Sequence, residues 1–333
     1  MYHTFRWAAA LLALTVLCSL CGCGAKSGTV GSSSTINTDT STVAVGAVII
    51  ARDDVDEKQV YDFVSGIFNN AETLSKRHEK GADLDLDFAT KVTSVPYHPG
   101  AARYFAEKGY EVPTKEPAAS AAGSALNLGT GNKVGTYYGY GSALAEYLSS
   151  TTKLSVSAKT SGGSKANLEA LSDGSLQLAF VQSDIMSYAY QGQRMFSQPL
   201  ENFSVVAAMY LEPLQLVTLD ESINSVSDLK GHSVSIGAVG SGVYYNALDV
   251  LSAYGLSESD IQPIHLGFGA SAESLKDGEI SAAFIVAGAP TTAVTDLTRD
   301  NTVKLVPLDE EHVEVLVSEG PFYSPYTIPA GTY

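Results

Sequence analysis

The sequence has 333 residues, about twice the length of a typical domain, which predicts a molecule of two lobes. Its 45% hydrophobic residues, with 18 tyrosines and 11 phenylalanines, can build a sizeable core, so a mainly disordered or fibrous chain is excluded. With 20 basic and 36 acidic residues the net charge is −16, which disfavours nucleic-acid binding and requires any anionic ligand to be held by a local group of donors.

The first segment has the pattern of a secretory signal peptide. Arg6 precedes an apolar stretch, residues 7–20, that is short for a membrane span. Leu20-Cys21-Gly22-Cys23 resembles a bacterial lipobox, so we expect residues 1–22 to be removed and Cys23 to carry lipid. The alternative is that this segment is not cleaved and anchors the protein in the membrane, which leaves the rest of the chain on the same side of the membrane as a lipid anchor would. All three cysteines lie in this segment, so the remaining chain forms neither a disulfide nor a cysteine metal site.

The next part of the chain predicts a tether, a strand and two helices. Residues 23–41 are rich in glycine, serine and threonine, which is typical of a flexible tether. The apolar, β-branched run 42–51 predicts a buried strand. Acidic residues then precede apolar residues at helical spacing, and a second helix is predicted at 100–108. Residues 111–124 contain prolines and alanines without periodicity and predict a surface linker.

From residue 125 onward, predicted strands alternate with predicted helices. The strands are 125–128, 154–159, 176–182, 203–210, 215–219, 233–237, 264–268, 282–287 and 303–307. The helices between them include 139–149, 165–171, 243–254 and 270–276. This alternation predicts an α/β architecture with mostly parallel sheets and a ligand at the carboxyl ends of the strands.

Three predicted strand-to-helix junctions share one design, a loop of glycine and hydroxyl residues. They cover residues 128–138, 160–167 and 237–244. Glycine lets the backbone approach a ligand closely, and the free N–H groups at the start of the following helix attract an anion. Helix caps and tight turns explain a single loop of this kind equally well. Three such loops in one chain favour a carboxylate or phosphate site.

Signatures of enzymes and metal sites are missing from the sequence. It has no nucleophile elbow, no His-Glu-x-x-His and no Walker loop, and its six histidines are scattered. The acidic run 83–87 mimics a calcium loop, but Phe88 and Ser94 stand where glycine and glutamate are needed, so we interpret it as a solvated face. Glycines 129, 131 and 135 allow a dinucleotide-binding reading, yet the usual spacing is absent. We expect no catalytic residue, no metal and no cofactor.

The glycine loops belong to a longer series of motifs. In chain order these are Tyr97-His98-Pro99-Gly100, Gly129-Thr130-Gly131, Gly135-Thr136-Tyr137-Tyr138, Ser161-Gly162-Gly163-Ser164, Phe180-Val181-Gln182-Ser183-Asp184, Tyr210-Leu211-Glu212-Pro213, Gly240-Ser241-Gly242, Ala287-Gly288-Ala289-Pro290 and Pro321-Phe322-Tyr323. With them the chain resembles the TAXI solute-binding proteins of tripartite ATP-independent periplasmic (TRAP) transporters. The motifs cover nearly all of the chain after the predicted tether.

The order of the motifs departs from the family. There, the counterpart of residues 42–110 follows the motif that stands here at residues 328–333. We therefore interpret the sequence as circularly permuted, with the linker 111–124 joining the family's usual ends. A misassembled or truncated reading frame is the alternative.

The resemblance implies an α/β fold of the type II periplasmic-binding-protein class, with two lobes, a hinge and a ligand cleft between the lobes. Lobe one is then expected at residues 53–210, including the linker. Lobe two is expected at residues 42–52 and 211–333.

The implied function is that of a lipid-anchored, extracytoplasmic and monomeric binding protein. It captures a small organic acid, such as a dicarboxylate, glutamate or 2-oxoglutarate, and delivers it to TRAP permease subunits. From the loops and the resemblance we expect the ligand to be bound by Thr130, Lys133, Thr136, Tyr137, Ser161, Ser164, Asn167, Gln182, Ser183, Asp184, Tyr210, Gly240, Ser241 and Pro290. Lys133 departs from the family pattern and adds a cation beside the site. A sensor of the same fold without a transport role is the rival reading, and a hydrolase or dehydrogenase is the third.

Overall fold

A computed structural model describes residues 35–120, 123 and 125–333. The predicted signal peptide, Cys23 and most of the tether lie outside the described residues. The described part contains helices and strands in alternation, so the α/β class predicted from the sequence is confirmed. No described helix has the length and hydropathy that crossing a membrane requires.

The bounds of the elements are as follows. The strands are β1 Thr40–Arg52, β2 Ala125–Gly129, β3 Ser155–Lys159, β4 Leu178–Gln182, β5 Phe203–Thr218, β6 Ser233–Ser235, β7 Gln262–Ile264, β8 Ala282–Val286, β9 Lys304–Val306 and β10 Ser324–Ile328. The helices are α1 Glu57–Phe68, α2 Ala71–Ser75, α3 Leu86–Ala89, α4 Pro99–Glu107, α5 Thr136–Thr151, α6 Ser164–Ser172, α7 Ser183–Gln191, α8 Val243–Ala253, α9 Phe268–Lys276, α10 Thr292–Thr298 and α11 Glu310–Glu319. Short 3₁₀ turns lie at Glu79–Asp83, Val226–Leu229 and Glu258–Asp260.

Two long strands, β1 and β5, run through the middle of the sheet. The strand order is β3-β2-β4-β1-β5-β8-β6-β7, with β10 paired to β1 and β9 paired to β5. The outer strands pair in parallel, β2 with β3 and β4, and β6 with β7 and β8. Every pair made by β1 or β5 is antiparallel. The prediction of mostly parallel sheets is therefore wrong for the centre, because both long strands run against their neighbours.

Strand β5 corrects a predicted break. The sequence analysis predicted two strands, 203–210 and 215–219, with a break between them. The structure has one strand of 16 residues that continues through Pro213, which lies opposite Ala44 of β1. The predicted strand 264–268 is also shifted, because β7 ends at Ile264 and α9 begins at Phe268. Strand β10 was not predicted.

The described residues form separate hydrophobic cores toward the two ends of these long strands. One core contains residues 47–51 of β1 and residues 203 and 205–210 of β5, and we call its side lobe one. The cores of lobe two contain Val43, Val45 and residues 214, 216 and 217 of β5. The long strands thus belong to both lobes, whereas the sequence analysis gave residues 42–52 wholly to lobe two.

Helix α1 shows why the predicted amphipathic segment folds as it does. Asp56 caps the helix by accepting hydrogen bonds from the N–H groups of Lys58 and Gln59, at 2.9 and 3.2 Å. The apolar face at residues 60, 63, 64 and 67 is buried in lobe one. The described part of the predicted linker forms no helix or strand, apart from an isolated bridge between Thr114 and Tyr97.

Candidate functional site

A cavity lies between the two lobes and holds about 580 Å³ of empty space, counting the part open to solvent. Its walls are formed by Gly131, Asn132, Gly135, Thr136, Tyr137, Ser161, Gly162, Gly163, Ser164, Gln182, Glu212, Ala238, Ser241, Val243, Gly267, Phe268, Val286 and Ala287. Six of the predicted ligand-binding residues are among them, namely Thr136, Tyr137, Ser161, Ser164, Gln182 and Ser241. All three glycine loops that the sequence analysis singled out contribute to the walls.

Four helices begin at this cavity, and none of them has a side-chain cap. The N-cap residues of α5, α6, α8 and α9 are Gly135, Gly163, Gly242 and Gly267, which have no side chain that could cap the helix. In α6, the N–H of Gly163 donates to Ser161 Oγ at 3.0 Å and the N–H of Ala166 donates to Gly240 O at 3.3 Å. Each helix start contributes at least one residue to the walls. The first N–H groups of a helix have no partner within the helix and carry partial positive charge. Four such ends with residues in the walls of one cavity suit an anion.

Two predicted ligand contacts instead hold the loops in shape. Thr130 is fully buried, and its N–H and hydroxyl both donate to Lys159 O, at 2.8 and 2.6 Å. Asn167 is also fully buried, and its amide donates to Thr130 O at 2.7 Å and to Phe180 O at 2.8 Å. Neither residue lines the cavity. They fix the carboxyl ends of β2 and β4 relative to helix α6.

Hydroxyl groups of the second loop are partly occupied by the backbone. Ser161 Oγ donates to Thr130 O at 2.9 Å and accepts from the N–H of Gly163 at 3.0 Å. Ser164 Oγ accepts from the N–H of Gln182 at 3.0 Å. Both serines still line the cavity, so each keeps a face toward a ligand.

On the side of lobe two, the wall is mainly apolar, with Ala238, Val243 and Phe268 among its residues. Ser241 is an exception, because its buried Oγ has no hydrogen-bond partner in the described part of the chain. An unpaired buried hydroxyl on a cavity wall is a donor available to a ligand.

Glu212 and Phe268 are wall residues that the sequence analysis did not predict. Glu212 lies in β5, and Tyr137 donates to its Oε2 at 2.7 Å. Glu212 is 1% exposed, and this burial raises the pKa of the carboxyl well above its usual value. In the sequence, Glu212 could have been singled out as a carboxylate that stands before a proline inside an otherwise apolar run.

The remaining predicted residues lie outside the walls. Ser183 Oγ accepts from the N–H of Gly46 at 3.0 Å, where β1 passes between the lobes. Tyr210 is buried among aromatic rings, and no described residue pairs with its hydroxyl. Lys133 is exposed, Gly240 has a φ of +83°, and Pro290 follows a cis peptide bond. The last three residues are not among those that line the cavity in this conformation.

Asp184 is buried at the junction of the lobes. Its Oδ2 accepts from Asn246 Nδ2 at 2.8 Å, while its Oδ1 has no partner in the described part of the chain. Burial raises the pKa of this carboxyl to about 6.

Hydrogen bonds join the two lobes directly. Asn246 of lobe two accepts from Gln182 Nε2 at 2.9 Å and donates to Asp184. Thr136 of lobe one donates to Gly288 O of lobe two at 2.8 Å. Arg194 and Asp249 form an ion pair between the lobes, at 2.9 Å. A ligand in the cavity is therefore in contact with both lobes at once.

No wall residue among those described is lysine, arginine or histidine. The described residues also contain no group of three or more His, Cys, Asp or Glu side chains that could hold a metal ion. The walls thus offer an anion the helix ends and hydroxyl groups rather than a charged side chain.

Comparison with known proteins places the chain in one family. A model described as the NMT1-like family matches residues 26–109 and 128–333. Among solved structures, the alkanesulfonate-binding protein SsuA from Xanthomonas axonopodis pv. citri, bound to MOPS, is 19% identical, with 61% of this chain and 70% of that chain covered and a TM-score of 0.39. SsuA from Escherichia coli is 21% identical, covering 56% and 60%, with a TM-score of 0.35. A putative L-cystine ABC transporter from Listeria monocytogenes is 18% identical, covering 60% and 92%, with a TM-score of 0.38. Likeness at this level leaves the ligand open.

Proposed function

The chain belongs to the NMT1-like family, and from this premise we propose that it is a solute-binding protein that captures a small organic acid between its two lobes. The observation that carries the proposal is the convergence of four uncapped helix starts on one interlobe cavity. The unpaired hydroxyl of Ser241 on the same wall supports it independently. Helix ends and hydroxyl groups bind a carboxylate without any covalent step, so the proposed activity is binding and not catalysis.

The finer assignment rests on the resemblance of the motifs. We propose the binding component of a TRAP-type transporter of the TAXI group, acting outside the cytoplasm as a monomer anchored through a lipid on Cys23. Its ligand is a dicarboxylate or an acidic amino acid, and its partners are the membrane permease subunits. We also propose that the two lobes, residues 53–210 and 211–333, move relative to each other and share strands β1 and β5.

The circular permutation is part of the same proposal. The two stretches matched by the family model, 26–109 and 128–333, lie on either side of the predicted linker. Ile36 donates to Tyr333 O at 3.0 Å, so the two ends of the described chain lie side by side. Adjacent ends are what a permuted order requires.

The test is thermal unfolding of the chain without residues 1–23, against a panel of dicarboxylates, keto acids, amino acids and sugars. A ligand that binds only the folded state adds about 2.7 kcal/mol of stability at a hundredfold excess over its Kd, so the midpoint must rise with one organic acid. The variant Ala238→Trp places a large ring at the cavity wall, and its midpoint should not respond to that acid. A cooperative transition that no organic acid shifts contradicts the proposal and favours the sensor reading.

A further inference from the structure

Glu212 is a buried carboxyl with one unused oxygen at the ligand cavity. Tyr137 donates to Oε2 at 2.7 Å, and no hydrogen bond from the described residues reaches Oε1. The residue is 1% exposed and belongs to the cavity wall. Burial of the residue removes most of the hydration of this carboxyl, and a bound ligand that donates to Oε1 replaces part of it.

Lys80, whose charge acts on Glu212, is paired with another carboxylate. Lys80 is 7% exposed and pairs with Asp83, with 3.0 Å between Nζ and Oδ2. Lys80 does lower the pKa of Glu212, but burial, the larger effect, raises it. Since Lys80 is not a wall residue, the carboxyl faces the cavity without a cation.

The walls therefore carry two kinds of polar group. The uncapped starts of α5, α6, α8 and α9 favour negative charge. Glu212 favours a positive or donating group, since a nearby positive charge stabilises the ionised carboxylate. Tyr137 links the two kinds of polar group, because it lies in the first turn of α5 and its hydroxyl donates to Glu212. A ligand that carries both signs of charge on neighbouring atoms matches this arrangement.

We propose that Glu212 is the specificity-determining residue of the cavity, and that it selects acids that carry an amino group over the same acids without one. This inference rests on the proposed function, since it assumes that the cavity binds a small organic acid. The ligand's carboxylate lies at the helix starts, and its ammonium group donates to Glu212 Oε1. An acid without the amino group leaves Oε1 unpaired and places a second negative group nearer to the carboxyl.

The experiment compares two pairs of compounds that differ only in the amino group, L-glutamate with glutarate and L-alanine with propionate. Their Kd values for the chain without residues 1–23 are measured by isothermal titration calorimetry. We expect the amino acid of at least one pair to bind about tenfold or more tightly than its partner, because an unpaired buried charge loses at least that much affinity. The same titrations are then repeated with Glu212→Gln.

Glu212→Gln keeps the size of the side chain and a carbonyl oxygen but removes the negative charge. We expect the preference within the pair to fall to about threefold or less, with tighter binding of the acid that lacks the amino group. Glu258→Gln is the matched control, because Tyr244 donates to Glu258 at 2.8 Å in a similar pair outside the cavity. That control should retain the full preference. Glu212→Ala, which removes the carboxyl altogether, provides a second variant in case Glu212→Gln does not fold, and it too should lose the preference.

The outcomes separate the two proposals. If neither member of either pair binds, while the broader panel also leaves the unfolding midpoint unchanged, the proposed function fails. If, in every pair that binds, the acid without the amino group binds as tightly as its amino partner or more tightly, the role of Glu212 is overturned while the proposed function stands. That result would mean that a protonated Glu212 donates to the ligand. An unchanged preference in Glu212→Gln likewise overturns the inference.

Discussion

A single carboxyl, Asp184, gives the molecule a pH dependence that can be worked out from its surroundings. The residue is 2% exposed, and burial raises its pKa from the ordinary 3.8 to about 6. A group whose pKa is higher in the folded state binds its proton more tightly there. Its contribution to the free energy of unfolding is therefore complete below about pH 3.8 and is lost as the pH rises through about 6. The whole loss is up to about 3 kcal/mol.

The variant Asp184→Asn removes this titration. We expect the variant to gain stability relative to the wild type as the pH is raised from about 4 to about 7, by up to about 3 kcal/mol, since the asparagine amide carries no charge to desolvate. Urea unfolding at each pH measures the difference. Asp277→Asn, at an exposed position, controls for the loss of one negative charge. A gap between wild type and Asp184→Asn that stays constant over this range contradicts the assignment.

At the residue scale, the glycine-rich motifs led to residues that lie together. Thr136, Ser164 and Ser241 belong to such helix starts, and the structure brings all three to one cavity, while their contact with a ligand stays a prediction. Thr130 and Asn167 have similar neighbours in the sequence, but the Thr130 hydroxyl and the Asn167 amide N–H groups donate to nearby backbone, which the sequence does not show. Whether a hydroxyl or amide faces a ligand or a loop depends on side-chain direction, and that is set by packing.

At the scale of elements, the helix starts divide into two kinds. Helix α1 has Asp56 as a cap, whereas the four helices at the cavity have glycine there. A capping side chain satisfies the first N–H groups of its own helix, so it makes them unavailable to a ligand. A glycine N-cap offers these groups no side-chain acceptor, although in α6 the N–H of Ala166 donates to Gly240 O.

Removing the Asp56 cap tests this difference. We expect Asp56→Ala to lower the free energy of unfolding by about 1 kcal/mol, because two N–H groups of α1 lose their acceptor. Urea unfolding measures the change. Asp56→Asn keeps a capping oxygen and should lose less than half as much. Equal losses in the two variants would show that the charge of Asp56, and not its hydrogen bonds, stabilises the helix.

Most elements followed from periodicity, and the failures have identifiable causes. The buried run 42–51 and the amphipathic α1 have one dominant pattern each, and both were predicted. The break expected within β5 is absent, because Pro213 lies in a strand whose neighbours supply the pairing on either side. The direction of the central strands could not be predicted, since antiparallel pairing by β1 depends on partners far away in the sequence.

For the whole molecule, the contact between the lobes at Gly242 leaves no room for a side chain in the described arrangement. A Cβ atom built there would lie 1.6 Å from Gln182 Oε1 and 2.7 Å from Ile185 Cγ1, both in lobe one. Both separations are far below contact distance, so a side chain at this position requires either that Gln182 and Ile185 move or that the lobes separate. The backbone itself is ordinary, with φ at −74°, so alanine is not strained by its conformation.

We expect Gly242→Ala to fold with its lobes held apart. In X-ray scattering, the radius of gyration should exceed that of the wild type, and the affinity for any ligand should fall about tenfold or more, because a ligand then contacts one lobe only. Gly66→Ala is the control, since its Cβ would meet Leu148 at 2.5 Å inside lobe one. It should lower the unfolding midpoint without changing the scattering curve. Identical scattering from Gly242→Ala and the wild type would show that the lobes adapt by shifting Gln182.

The two long strands determine which fragments of this protein keep a complete hydrophobic core. Val43 and Val45 of β1 belong to a core of lobe two, whereas Ala47 and the four residues after it belong to the core of lobe one. Strand β5 is divided in the same way, because residues 203 and 205–210 belong to the core of lobe one and residues 214, 216 and 217 belong to the cores of lobe two. A fragment cut between the lobes therefore lacks a strand that one of the cores needs. Chimaeras that exchange a lobe with a relative must carry both long strands from the same parent.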